Sequence, residues 1–266
     1  MRYAITGATV ADMITPAPNS AVEVANLIRS AVIAGEYPRG AELPTQTELG
    51  ERYGVNQGTV SRAVTILTAE GLIQPVRGKR AIVTPIPPII RNASVRYSRA
   101  LRERDGARGA YDTEIRSMGL EPRNVTTPSR VIPPERVASI LNVSAAEESA
   151  VVRARVMYAN DTITQLADSY IPGDIAFGTV LEQDDEGPGG MVSRMAEMGY
   201  GQVRITERLR GRPATPEEAR GLHIAPGQQL FDLEHVGWTE DGRAVEVCIH
   251  LMPQSLWILD TEFLID

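Results

Sequence analysis

The chain has 266 residues, 42% of them hydrophobic, and a formal net charge of −7. That length and apolar content suit two packed domains, and no window approaches the roughly 18 consecutive apolar residues of a membrane helix, so a cytoplasmic protein without a membrane partner is expected. The single cysteine, Cys248, excludes an internal disulfide, and with only three histidines neither a structural metal nor a cofactor is expected.

The acidity is unevenly spread. Residues 1–86 carry eight basic against seven acidic side chains, while the remainder carries nineteen against twenty-seven. Phosphate binding depends on basic side chains displacing counterions, so the first part alone has a balance compatible with nucleic acid.

Residues 1–19 hold Pro16 and Pro18 and no apolar period, which predicts a loose arm. From Ser20, a possible cap, Val22, Ala25, Ile28, Ala31 and Val32 recur at helical spacing up to Gly35. "YPRGAELP" is turn chemistry. Thr45 followed by Glu48 then matches a capping box, and Leu49 and Tyr53 give a short helix its stripe before Gly54. In "GVNQGTVSRAV", Asn56 caps a third helix that turns Val60, Val64 and Leu67 inward. Two short helices joined by a glycine-containing turn of three or four residues form the helix-turn-helix layout. Residues 74–84 place β-prone side chains on both sides of Gly78, predicting a hairpin wing. Residues 87–108 are proline-led, then arginine-rich, and read as a linker.

Beyond residue 108 the pattern alternates between strands ("NVTTPSRVIPP", "AVVRARVMYAN", "ITQLADSYIP", "GQVRITERLRGRPA") and helices ("PERVASILN", "GMVSRMAEMG", "TPEEARGLHI"). Asp241-Gly242 closes a hairpin between the last two long strands. An α+β domain around a mainly antiparallel sheet is predicted over residues 109–266.

Residues 20–86, through "GEYPRGAELPTQTEL", "YGVNQGTVSRAV", "LTAEGLI" and the Gly78 wing, resemble the winged helix-turn-helix domain of GntR-family bacterial transcription regulators. The second part resembles the effector-binding UTRA domain of that family's HutC branch, through "VVRARVMYANDTITQLADSYIP", "TERLRGRPATPEEARGLHIAPGQQL" and "DGRAVEVCIHLMP". The resemblance implies a chorismate-lyase-like α+β effector domain. It also implies a homodimeric repressor that leaves double-stranded operator DNA when a small-molecule effector binds. Where the family commonly reads Ser-Arg-x-Thr-Val-Arg-Arg, this chain has Asn56-Gln57-Gly58-Thr59-Val60-Ser61-Arg62; Thr47 replaces a frequent arginine, and Arg80 stands where the wing has a second glycine.

Major-groove reading requires short side chains for close approach and a few that reach base edges. Gly58 and Ser61 supply the first, Gln57 suits adenine, Arg62 guanine or phosphate, and Thr59 a phosphate oxygen or thymine methyl. Thr45, at a helix N-terminus, can hold a phosphate, and Arg77, Lys79 and Arg80 suit the minor groove or its edge. In the second domain Arg153 and Arg155 alternate along one strand and so share a face, which an anionic ligand would stabilise; cross-strand pairing with Asp168, Glu207 or Glu234 is the plainer alternative. The resemblance places both arginines and Glu246 at the effector; Ala167 stands where relatives often carry a glutamate, with Asp168 beside it, and Tyr170 and Tyr111 are candidates for either the core or the pocket wall. His223 and His250 read as ordinary surface or core residues. An enzyme is not indicated: there is no Ser-His-Asp pattern in a sensible context and no base near Cys248.

Overall fold

Capping and turn chemistry set the first three helices of the computed structural model, which describes residues 20–76, 78–98, 109–185, 187 and 189–262. Ser20 Oγ accepts from the Glu23 amide to start α1 (Ala21–Ile33). The Thr45/Glu48 capping box starts α2 (Gln46–Tyr53), which ends on Gly54 at φ 67°. Asn56 Oδ1 accepts from the Thr59 amide at 2.9 Å and opens α3 (Gln57–Ala69). Val24, Ile28, Leu49, Val60 and Leu67 bury into one core with Ile73 and Val83 of the wing strands β1 (Ile73–Gln74) and β2 (Ile82–Val83). Those strands pair antiparallel around Gly78 at φ 73°.

The expected linker is in part structural. Residues 89–92 form β3 (Ile89–Asn92), paired in parallel with β10 (Trp257–Asp260), a strand the sequence pattern did not reveal. Ile86 and Ile89 sink under Leu256 and Trp257, and burying these apolar side chains outweighs the turn character of the intervening prolines. The expected arm over residues 1–19 and the linker remainder, 99–108, lie outside the described residues.

The second domain is a six-stranded antiparallel sheet in the order β4 (Pro122–Val131), β5 (Ala150–Ala159), β6 (Thr162–Pro172), β9 (Ala244–Pro253), β8 (Gln229–Trp238), β7 (Arg204–Pro213). One face carries α4 (Ala110–Ser117) with Tyr111 and Ile115; the other packs Val137 and Leu141 of α5 (Glu135–Leu141) on Val236 and Val247. The head touches this domain at Gly71, whose φ is 71° and where an added Cβ would lie 2.0 Å from Ser255 Oγ.

Candidate functional site

The helix-turn-helix presents Gln57, Gly58, Ser61 and Arg62 on the exposed side of α3. Gln57 Nε2 donates to Thr47 Oγ1 at 2.7 Å, so the residue standing in place of the family arginine ties α2 to the first residue of α3. Thr59 differs from expectation: it is 7% exposed and its hydroxyl points back to Asn56 Oδ1, because the position N3 of a capped helix faces its own cap. Thr45 is also committed. Its backbone N–H and hydroxyl both donate to Glu48 Oε2, so a carboxylate already occupies the spot proposed for phosphate. On the wing Lys79 is exposed, Arg80 is paired with Glu42 at 2.5 Å, and Arg77 lies outside the described residues.

Period-two geometry builds the second site. In β6, Gln165, Ala167 and Ser169 face α4; in β9, Glu246, Cys248 and His250 do; in β8, His235 does. Of these, Gln165, His235, Glu246, Cys248 and His250, together with Arg155, which lies across from Ala167, wall a cavity of about 150 Å³. Tyr97, Arg96 and Tyr111 close its other side. Arg155 Nη2 donates to Ser169 Oγ at 2.5 Å, Ser169 donates to Glu246 Oε1 at 2.8 Å, and Gln202 Nε2 donates to Glu246 Oε2 at 2.9 Å. Burial lowers the basicity of both imidazoles, most strongly at His250, so both are neutral at pH 7. Burial pushes the Cys248 thiol up to about 11, which leaves it without thiolate reactivity.

Three expected effector residues stand elsewhere. Arg153 shares the face of Arg155 but is 1% exposed and absent from the cavity wall; its guanidinium donates to the carbonyls of Leu181 (2.7 Å), Gln183 and Asp184 (3.3 Å). Asp168 and Tyr170 lie one residue out of phase with Ala167 and Ser169, so the pleat turns them to the opposite face, where Tyr170 packs in the Val137/Val247 cluster. Burial raises the Asp168 carboxyl, with Arg155 acting the other way. Of the cross-strand partners, Glu207 pairs instead with Arg91 and Glu234 with Arg136, while Asp168 stays close enough to Arg155 for the guanidinium to act on its carboxyl. Sequence reasoning did not single out His235, Arg96 or Tyr97; His250, read as an ordinary surface or core residue, is buried and lines the cavity. The alternation Glu246-x-Cys248-x-His250 was a usable signal; Arg96 and Tyr97 arrive from the segment read as linker.

A winged helix-turn-helix joined to a domain with a polar, ligand-sized cavity defines a DNA-binding transcription regulator with an effector domain. Comparison with known proteins agrees. The model of the bacterial regulatory proteins of the gntR family matches residues 20–83, and that of the UTRA domain matches residues 117–256. The HTH-type transcriptional regulator SCO4628 of Streptomyces coelicolor is 29% identical over 246 residues, covering 90% of this chain and 91% of its own. Rv0792c of Mycobacterium tuberculosis, also an HTH-type transcriptional regulator, is 24% identical, covering 88% and 82%. The crystal structure of PhnF from Mycobacterium smegmatis shares the fold with a TM-score of 0.57 at 18% identity, over 91% of this chain and 99% of that one. The chain belongs to the GntR family, in its UTRA-containing HutC branch, a family of transcription regulators and not of enzymes. Among the described residues no helix is long and apolar enough to cross a membrane.

Proposed function

We propose that the protein is a homodimeric cytoplasmic repressor that holds a near-palindromic operator and releases it when a small acid-bearing effector enters the cavity beside Arg155. The observation that carries this reading is the cavity wall: Glu246, His235 and His250 are buried polar side chains gathered around empty space, and buried polar groups without full partners are costly unless a ligand completes them. On the DNA side, Gln57 and Arg62 read base edges while Gly58 and Ser61 allow close approach. Lys79, Arg80 and Arg77 meet the phosphates, Arg80 by exchanging Glu42 for DNA. Thr45 and Thr59 act through the turn they hold, and Arg153 through the segment it ties down. Effector binding shifts the population between head spacings that fit and do not fit two half-sites about one helical turn apart.

Gel shift with the intergenic DNA beside the gene, with and without phosphosugars, amino-acid derivatives and other anions, tests the proposal. Retardation relieved by one compound is the expected result. Failure to bind any neighbouring promoter refutes it.

A further inference from the structure

The hydrogen atoms around the cavity do not balance. Tyr97 Oη donates its one proton to Glu207 and accepts from Arg91 Nη2 at 2.7 Å. It therefore has no proton left for His235 Nδ1, 3.3 Å away, and we assign the ring proton to Nδ1, which donates to Tyr97. His235 Nε2 is then a lone-pair acceptor, and it faces Glu246 Oε2, another acceptor, at 3.7 Å. Among the described residues His235 Nε2 has no hydrogen-bond partner, and neither has either ring nitrogen of His250, whose ring centroid lies 6.1 Å from that of His235. The two histidines are 6% and 8% exposed, so water does not substitute freely.

A neutral His250 contributes one further acceptor and, on its other ring nitrogen, one N–H donor. Two imidazole acceptors beside the Glu246 carboxylate, whose oxygens already accept from Ser169 and Gln202, favour a ligand group with several donors and a positive charge. An ammonium has three N–H donors. Arg155, linked to Glu246 through the Ser169 hydroxyl, donates from Nη2 to Ser169 and from Nε to the Ala167 carbonyl, and the rest of its guanidinium suits a carboxylate. The rest of the wall does not favour a phosphate dianion: Asp184, Asp185 and Glu246 line it, and Arg96, though its Nε has no partner among the described residues, is already paired through Nη1 with Glu114 at 2.9 Å. A volume of about 150 Å³ holds roughly six to ten non-hydrogen atoms.

We infer that the effector is a small zwitterion of amino-acid type, its ammonium seated between Glu246 and His235 and its carboxylate facing Arg155. This inference rests on the reading of the cavity as the effector site. It is tested on the full-length protein by thermal shift and calorimetric titration with the twenty proteinogenic L-amino acids, their α-N-acetyl forms, glucose 6-phosphate and inorganic phosphate. At least one free amino acid is expected to raise the melting midpoint saturably, its N-acetyl form to bind at least tenfold more weakly, and Glu246→Gln to weaken binding at least tenfold. Should Glu246→Gln fail to fold, the comparison of free and acetylated ligand on the unaltered protein decides alone. Binding of an N-acetyl form as tightly as its parent, binding of glucose 6-phosphate in place of any amino acid, or no stabilisation by any of the twenty overturns the inference. Relief of operator binding by a phosphosugar would leave effector control standing and remove only the zwitterion.

Discussion

Replacing Arg153 with methionine separates a residue that touches the effector from one that supports the wall. In this structure the guanidinium is 1% exposed and bridges three successive stretches of backbone, at Leu181, Gln183 and Asp184. Methionine fills most of the stem volume but leaves those carbonyls without donors. Leu181 is buried, whereas Gln183 and Asp184 are exposed and re-solvate, so one carbonyl counts. At about 1–3 kcal/mol for a buried acceptor left unpaired, Arg153→Met should destabilise the domain by roughly 1–3 kcal/mol. In a domain of this size that lowers the melting midpoint by roughly 2–12 °C. Calorimetry measures the shift, and hydrogen exchange should show faster opening of residues 181–185. A variant that melts like the unaltered protein yet no longer responds to effector would refute the reasoning, because Arg153 would then be touching the ligand.

Other outcomes follow from the same geometry. Arg62→Ala should weaken operator binding broadly, while Gln57→Ala should cost about 1–3 kcal/mol at one base position; anisotropy across operator variants checks both, and equal loss at every base would remove Gln57 as a direct reader. Asp168→Asn, on the face away from the cavity, should leave ligand affinity within twofold in titration. Because burial holds His235 and His250 below the ordinary histidine value of 6.5, the unfolded chain binds protons that the folded one refuses. Stability should therefore be full above about pH 6.5 and fall as the pH drops below it, seen as a declining midpoint in urea titrations. Gly71→Ala places a methyl into Ser255 and forces a side chain onto a φ of 71°, so it should loosen the head from the sheet domain and speed proteolysis near residues 84–88.

Much of the head was legible because its signals are local. A capping residue, a glycine at positive φ and an apolar stripe act within a few residues, so Thr45/Glu48, Gly54 and Asn56 could be read in order and recur in the structure. The face of Arg155 and Glu246 was legible for a similar reason, since strand alternation is also short-range. The same rule, applied strictly, would have turned Asp168 and Tyr170 away from Ser169. They were placed at the effector by neighbourhood in sequence, and the pleat separates them.

The sequence by itself determined a winged helix-turn-helix followed by an antiparallel α+β domain, since periodicity, caps and turn residues carry that information within single elements. Tertiary structure alone decided which polar groups meet. Glu246 and His235 belong to neighbouring strands whose register brings Gly237 opposite Glu246, Tyr97 comes from a stretch that looks like linker, and Arg153 is drawn to carbonyls about thirty positions away. Long-range pairing fixes such contacts, and it also decides that one of two arginines on the same face supports the wall while the other faces the cavity.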